Sequence, residues 1–362
     1  MSKATRLVGI DLCRGLAAFA VILVHSGDET WGLPISSQAI QFHNLFYYAV
    51  PFFLAASFYF GTKKSSSKIN RKFWLKKLQR IIVPYFLWST FYVFFKIVVF
   101  ALSQDRAHLE ELLADPIAIV FFGAASYHLY FIPLLLAGTM LLYLTKYFKE
   151  RQNSFTLLSL FSIISIVLYQ LLMLYKNDFN LDSYIAFPSL LSLVAPDNLL
   201  YQPWRIILVN LAWITRCLPY FYMALLIHKV LEQNDYKWLY ERETAVAIFL
   251  LFLLINVTGK KYLPASVNEI AIAYSFLLFG IAVSPYISLN NLIANLGLCS
   301  FGIYLIHPII KSAVEIILTM VLPQATKSVS IFSILIYSVT SFLLSWSLIS
   351  WMQKNKMVSQ YI

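Results

Sequence analysis

Long runs of hydrophobic residues separated by short polar segments recur along the whole chain. A transmembrane α-helix needs roughly 17–25 mostly apolar residues, so each long run predicts one membrane span. The pattern predicts about ten spans, at residues 7–26, 43–61, 81–103, 126–145, 154–175, 205–228, 244–258, 268–288, 300–321 and 330–352. The seventh run, 244–258, is short for a span. The expected fold class is therefore all-α, in a polytopic membrane protein.

Composition supports a membrane protein and changes how the net charge is interpreted. Of 362 residues, 60% are hydrophobic and only 12% are charged, and the mean hydropathy is +0.71. A soluble domain carries about twice that charged fraction. The net charge of +11 fits the Lys and Arg that collect in cytoplasmic loops, so the lipid bilayer is an expected partner and nucleic acid is not. No composition change marks a soluble domain, and a single membrane domain over residues 1–362 is expected.

The charges of the loops predict the orientation. Residues 63–80, between the second and third spans, contain eight Lys and Arg residues and no acidic residue. The loops on the opposite side are acidic at residues 28–29 and 105–115. Because basic loops stay in the cytoplasm and the number of spans is even, both termini are expected to be cytoplasmic. Lys260 and Lys261 do not follow this pattern.

The first run also carries three groups that are costly inside a membrane: Asp11, Arg14 and His25. At 100° per residue, all three side chains fall within about 60° of one another on the helix. Such a polar stripe predicts a functional face. The alternative is that Arg14 extends to the interface and merely pairs with Asp11, which leaves His25 unexplained.

The residue types in the stripe suggest a long ligand. Arginine offers phosphate a planar set of donors that stays charged, and histidine can take a proton from a hydroxyl near neutral pH. Arg14 and His25 are about 16 Å apart by helical rise, a separation that suits acyl-coenzyme A (acyl-CoA). Lys77 and Arg80, at the cytoplasmic entrance of the third span, are further candidates for its phosphates. Their charges also fit a purely topological role.

Other polar residues lie in or near later spans. His128 lies at the outer start of the fourth span, where an interfacial anchor is the common role, and Arg216 lies inside the sixth. His307, Lys311 and Glu315 follow one another at intervals of four in the ninth span. Packing and ligand binding are both open for these groups. The chain has no P-loop, HExxH, GxSxG or cysteine–histidine metal spacing, so neither a metal nor a tightly bound cofactor is expected.

The segment GIDLCRGLAAFAVILVHS resembles the opening signature of the acyltransferase-3 family of integral membrane acyltransferases. The signature has an arginine and a histidine with ten residues between them, here Arg14 and His25. Further similar segments are VPFFLAASFYF, KLQRIIVPY, YHLYFIPLL and LGLCSFGIYLIHP. The chain departs from the family at Ala56-Ser57, where Ser-Gly is frequent, at Lys77, where arginine is frequent, and at Tyr130, where tryptophan is common.

The resemblance implies a function. Family members move an acyl group, usually acetyl, from cytoplasmic acetyl-CoA to a hydroxyl of an extracytoplasmic glycan. We therefore expect acyl-CoA as a co-substrate, a glycan or lipid-linked saccharide as acceptor, and a location in the plasma or inner membrane. The expected roles are catalysis for His25, acyl-CoA binding for Arg14, Lys77 and Arg80, and support for Asp11, His128, Arg216, Tyr304 and His307.

Two other classes of function remain at this point. A transporter or glycan exporter would use Asp11, Arg14, Glu269 and Glu315 as internal relay groups, although the chain shows no inverted repeat. The second alternative is a non-catalytic membrane component of a glycan-assembly complex. The sequence leaves open the acceptor, the choice between acetyl and succinyl, and the choice between direct transfer and an acyl-enzyme.

Overall fold

The computed structural model describes residues 6–26, 35–64, 71–149, 154–181, 183–194, 203–233, 236–288, 291–321, 329–355 and 358–359. These residues form an all-α fold, which confirms the predicted fold class, with two isolated β-bridges. The helices are α1 (Val8–Val24), α2 (Ser37–Asn44), α3 (Ala49–Lys64), α4 (Arg71–Leu102), α5 (Arg106–Ala114), α6 (Phe131–Thr139), α7 (Thr145–Lys149), α8 (Ser154–Leu174), α9 (Pro188–Val194), α10 (Pro203–Gln233), α11 (Arg242–Tyr262), α12 (Ala265–Val283), α13 (Asn291–Val321) and α14 (Ile331–Met352).

Within the described residues, nine helical stretches are long and apolar enough to cross a membrane. They are Ser37–Lys63, Leu78–Leu102, Phe131–Phe148, Phe155–Leu174, Pro203–Leu231, Arg242–Tyr262, Ala265–Tyr286, Asn291–Val321 and Ile331–Met352. Helix α1 has 17 residues, the lower end of the range for a span, and completes the series predicted from the sequence. The protein is therefore a polytopic membrane protein.

Two boundaries differ from the prediction in an informative way. The seventh span is not short, because α11 has 21 residues. Its ends carry charged residues, including Lys260 and Lys261, and the helix continues through them beyond the apolar run. Lys260 donates a hydrogen bond to the Asn44 side chain over 2.7 Å and lies 4.4 Å from the Tyr47 ring centroid. These contacts give Lys260, one of the two lysines that do not follow the charge pattern of the loops, a structural role. The ninth span begins at Asn291 instead of residue 300.

The described helices group into two compact units. The first unit comprises Met1–Ala56 and Asn234–Gln360, and in it α1 packs against α12, α13 and α14. The second comprises Ser57–Gln233, and in it α10 packs against α6 and α8. That the whole chain acts as one domain stays a prediction.

Helices α1 and α13 run parallel in the first unit. Near the start of each helix, the space at Gly297 is filled by the Cα and Cβ atoms of Asp11. Near the end of α1, the Lys311 ammonium reaches the His25 carbonyl. Both helices are odd-numbered spans, the first and the ninth, so a shared direction agrees with the predicted topology.

Helix α12 runs antiparallel to α1. The Gly9 backbone N–H donates to the Ser284 hydroxyl over 3.1 Å, while Cys13, one turn later on α1, contacts the earlier Phe276 carbonyl. Helix α12 corresponds to the even-numbered eighth span, so its opposite direction is also what repeated membrane crossing requires. Together, these contacts pack the first half of α1 against α12 and both ends of α1 against α13.

The close packing of α1 against α12 at Gly9 predicts that a larger residue there lowers stability. A Cβ atom at Gly9 would lie 2.2 Å from the Gly280 carbonyl oxygen, a backbone atom that cannot rotate away. Gly9→Ala should therefore destabilise the protein by about 1–3 kcal/mol, the usual cost of overpacking, although alanine is the better helix former. Thermal unfolding of the purified protein in detergent measures this loss, with Leu16→Ala on the exposed face of α1 as the control. A Gly9→Ala variant at least as stable as the wild type would contradict the close approach.

A buried ion pair organises the second unit. The Arg205 side chain is fully buried at the start of α10, and its Nη2 donates to the Asp115 carboxylate over 2.6 Å. The same guanidinium donates to the carbonyls of Tyr184 and Ser183, over 3.0 and 3.3 Å. Asp115 follows the third span and Arg205 begins the sixth, so the pair joins two ends that the predicted topology places on the outer side.

Helix α5 begins at a capped terminus outside the membrane spans. The Asp105 carboxylate accepts the His108 backbone N–H over 3.2 Å and the His108 ring Nδ1–H over 2.7 Å. These hydrogen bonds, the backbone one foremost, hold the pKa of Asp105 below its ordinary value. The stabilising effect of ionised Asp105 is thus present above the pKa of the unfolded chain and is lost as pH falls through the lower folded pKa.

Candidate functional site

The polar stripe of α1 faces α13. An ideal Cβ at Gly297 would lie 2.5 Å from the Asp11 Cβ, and one at Gly15 would lie 2.3 Å from Leu296. Glycine at position 297 lets the α1 backbone at Asp11 approach closely, and glycine at position 15 leaves room for the Leu296 side chain. Asp11 is therefore buried against α13, while Arg14 and His25 are only partly covered by protein.

At the N-terminal end of the stripe, the buried Asp11 carboxylate lies between two guanidinium groups. Arg6 Nε donates to Oδ2 over 2.5 Å, and Arg14 Nη1 lies 3.9 Å from Oδ1. Arg6 Nη2 also donates to the Ala294 carbonyl over 2.9 Å. The expected pairing of Asp11 with Arg14 is present but long, and Arg6 is the closer partner. The Arg14 side chain is 35% exposed, so it remains accessible to a ligand.

At the C-terminal end, His25 caps α1 and is half-buried. Its ring stacks on the His307 ring with centroids 5.9 Å apart and an interplanar angle of 25°. The buried Lys311 ammonium donates to the His25 carbonyl over 2.5 Å. The last carbonyls of a helix lack backbone donors and carry partial negative charge, so a cation stabilises this terminus. Two side chains of α13 thus determine where His25 sits.

A proline explains how the His307 ring is oriented. Pro308 has no backbone N–H, so the Tyr304 carbonyl, four residues earlier, loses its helical donor. His307 Nδ1 replaces that donor at 2.7 Å from the carbonyl oxygen. Because a carbonyl only accepts, Nδ1 carries the proton, and in the neutral ring Nε2 is then the basic nitrogen. Tyr304 therefore acts here through its backbone, and its ring lies 6.1 Å from that of His307.

The residue after His25 is also held in place. The Ser26 carbonyl accepts a hydrogen bond from the buried His43 Nε2 over 2.9 Å, and the Ser26 hydroxyl donates to the Ile22 carbonyl. This anchoring limits the movement of the His25 backbone. The sequence pattern singles out Lys311 only through its interval of four from His307, and it contains no signal for His43.

His128 and Arg216 belong to the second unit. His128 is 2% exposed, bonds the Ser126 hydroxyl at 3.1 Å and meets the Tyr92 ring edge-on at 5.3 Å. It is therefore a buried residue packed beside an aromatic ring, and its expected supporting role stays a prediction. Arg216, on α10, is half-buried with its guanidinium 5.9 Å from the Tyr169 ring centroid, a cation–π geometry.

The two candidate phosphate-binding residues of the third span also lie in the second unit. Arg80 is exposed on α4. The side chain of Lys77 lies outside the described residues. Among the predicted site residues, the structure brings Asp11 together with Arg14, and His25 together with Tyr304 and His307, all within the first unit.

Comparison with known families then decides between the classes of function. The acyltransferase-3 family, described as an acyltransferase domain, matches residues 7–350 of this chain. The chain belongs to this family. No curated protein and no solved structure matches it. The family match runs from α1 to α14 and shows that this multi-pass membrane protein is an acyltransferase, which favours an enzyme over the transporter alternative.

The first unit of this acyltransferase presents complementary chemistry at the two ends of α1. At one end, guanidinium groups share a buried carboxylate and can bind phosphate. About 16 Å away by helical rise, the His25 and His307 rings stack, and an imidazole ring can accept a proton from a hydroxyl. Groups suited to anion binding and groups suited to proton transfer therefore lie at different positions along a single helix.

Proposed function

We propose that this acyltransferase moves an acyl group, acetyl in the simplest case, from cytoplasmic acyl-CoA to a hydroxyl of an extracytoplasmic glycan. The observation that carries the proposal is the position of His25. It lies half-buried at the end of α1, stacked on His307 and held by Lys311, on the same stripe as Arg14. The enzyme would act in the plasma or inner membrane, where both substrates are accessible from opposite sides.

In this proposal, Arg14 binds a phosphate of acyl-CoA. Its guanidinium is positioned by Asp11 and is partly exposed, so ligand oxygens can reach it. Lys77 and Arg80, on the side predicted to be cytoplasmic, would add positive charge where the coenzyme enters. The long arm of the coenzyme would then carry the thioester along α1 toward His25. His128 and Arg216 would support the fold of the second unit.

The chemistry assigns His25 the proton transfer. In the direct route, the imidazole accepts the proton of the acceptor hydroxyl while the hydroxyl oxygen forms a bond to the thioester carbon. The carbon–sulfur bond breaks, and the CoA thiolate leaves and takes up the proton. In the covalent route, the basic imidazole nitrogen attacks the thioester carbon, the carbon–sulfur bond breaks and the CoA thiolate leaves. The acceptor hydroxyl then attacks the acyl carbon, the bond from that carbon to the imidazole nitrogen breaks, and the hydroxyl proton passes to the released imidazole and on to the thiolate. Both routes require a correctly placed His25 ring, for which His307 provides the stacking surface.

Mass spectrometry of surface glycans tests this function. Glycans from cells with the protein should carry acyl esters that mild base removes, and glycans from cells without it should lack them. Purified protein should also consume acetyl-CoA in the presence of de-esterified glycan. Identical ester content in the two glycan samples would contradict the proposal.

Arg14 carries a separate prediction about coenzyme binding. Arg14→Met should raise the KM for acyl-CoA by about ten- to a hundredfold, because charge-assisted hydrogen bonds contribute about 1.5–3 kcal/mol. The kcat should change little, since the phosphate is bound equally in the ground and transition states. Steady-state kinetics with varied acetyl-CoA measures both constants, and Arg242→Met, at an exposed position in the same unit, is the control. An unchanged KM would exclude Arg14 from the coenzyme site.

A further inference from the structure

The second unit contains a cavity lined by residues of α4 and α5. It has a volume of about 450 Å³ and lies at the outer end of α4, beside α5 and residues 183–185. Lys96, Phe100, His108, Glu111 and Tyr184 contribute to its lining. Binding sites for small molecules span roughly 300–1,000 Å³, so the cavity is large enough for one.

Lys96 contributes an unusual charged group to the lining of this cavity. It lies inside the span Leu78–Leu102, about 9 Å along the helix axis before its end. A lysine within a span is costly, and such residues face water-filled cavities or functional sites. Lys96 lines the cavity together with Glu111 of α5, and the two side chains are close enough to interact electrostatically. The cavity therefore contains charged side chains at a position where the neighbouring residues of α4 are apolar.

Tyr184 contributes an aromatic ring to the cavity lining, and its backbone is held in place. Tyr184 has a φ of +50°, a left-handed conformation that bulky residues rarely adopt. Strain of this kind persists only where the surroundings enforce it, and the buried Arg205 donates to the Tyr184 carbonyl over 3.0 Å. The Asp115 carboxylate, which accepts from the same guanidinium, also lines the cavity. Contacts within the protein therefore fix the backbone at Tyr184.

The charges of the cavity point to a neutral ligand. Lys96 lies near Glu111, Asp115 pairs with Arg205, and His108 bonds the Asp105 carboxylate. Donors and acceptors are therefore both present, with the charges largely compensated. An anion would meet the carboxylates, whereas sugar hydroxyls can both donate to Glu111 and accept from Lys96. The apolar faces of a sugar can pack on Phe100 and Tyr184.

We propose that this cavity binds a neutral sugar unit of the acceptor glycan. The assignment of that sugar to the acceptor rests on the proposed function, but its binding requires neither acyl-CoA nor His25. Binding and acyl transfer can therefore be measured independently.

Saturation-transfer NMR tests the cavity directly. The full-length protein in nanodiscs is mixed with the methyl glycosides of glucose, galactose and N-acetylglucosamine, and separately with glucose 1-phosphate. At least one neutral glycoside should bind, and glucose 1-phosphate should bind more weakly than methyl glucoside. Glu111→Gln and Lys96→Met should each weaken glycoside binding about tenfold. Glu110→Gln changes the neighbouring exposed carboxylate of α5, which does not line the cavity, and should bind like the wild type.

The outcomes separate this proposal from the proposed function. Absence of saturation transfer to all three glycosides, or unchanged binding in both cavity variants, would overturn the sugar site. Preference for glucose 1-phosphate would overturn it in favour of an anion site. Normal glycoside binding by a protein that cannot consume acetyl-CoA would support the cavity and count against the acyl-transfer function alone.

Discussion

Replacing His25 with glutamine should lower the kcat of acyl transfer by about 10²- to 10⁴-fold, the contribution that a positioned general acid–base makes. Glutamine keeps a polar side chain of similar reach but cannot accept a proton near neutral pH. The backbone contact from Lys311 to the carbonyl of residue 25 does not depend on the side chain, so the helix end should remain intact. The rate is measured at saturating acetyl-CoA with de-esterified glycan as acceptor.

A second histidine provides the matched control for this experiment. His228 is buried in the second unit, bonds the Tyr59 carbonyl at 2.8 Å and stacks on the Tyr59 ring with centroids 4.3 Å apart. His228→Gln should lower the melting temperature while kcat stays within about twofold, since its contacts are those of packing. Equal losses of kcat in the two variants would show that the His25 effect is structural. That result would remove His25 from the chemistry.

The largest expected effect on stability belongs to Arg205. Arg205→Met removes a fully buried guanidinium and leaves the Asp115 carboxylate, itself only 20% exposed, without its cation. Breaking one partner of such a pair costs about 3–5 kcal/mol, and the partial exposure of Asp115 favours the lower value. The carbonyls of Ser183 and Tyr184 also lose their donor. The apparent melting temperature in detergent should fall by about 6–12 °C.

Two further variants show whether the ion pair causes this loss. Arg106→Met, at an exposed position on α5 in the same unit, should stay within about 0.5 kcal/mol of the wild type. The double variant Asp115→Asn/Arg205→Met should regain part of the stability, because it removes the uncompensated charge. If the double variant is as unstable as the sum of the single variants, the two residues are not coupled.

The sequence predicts the membrane spans well because each span must satisfy its own backbone hydrogen bonds and bury its own apolar surface. Hydropathy alone therefore locates nine helices and the short α1. It fails at helix ends, as in α11, where Lys260 and Lys261 continue the helix beyond the apolar run. Helix α5 was also not predicted, since it is amphipathic, short and outside the membrane.

For the candidate site, too, the sequence predicts some residues, and only the structure shows the others. The stripe of Asp11, Arg14 and His25 is visible in the sequence because helical periodicity places all three on one face. Arg6 and Lys311 join the stripe through tertiary contacts that no single helix encodes, since Lys311 lies 286 positions after the residue whose carbonyl it contacts. Lys96 belongs to the cavity of the second unit and not to this stripe, and a lysine inside an apolar run is visible in the sequence itself.

Transfer across a bilayer tests the central claim most directly. The protein is reconstituted in liposomes that enclose de-esterified surface glycan, and labelled acetyl-CoA is added outside only. We expect label in the enclosed glycan for wild-type protein whose cytoplasmic face points outward, and at most about one hundredth of that rate for His25→Gln. Labelling of the enclosed glycan by His25→Gln at the wild-type rate would contradict the account. Labelling that occurs only when acetyl-CoA and glycan are on the same side of the bilayer would also contradict it.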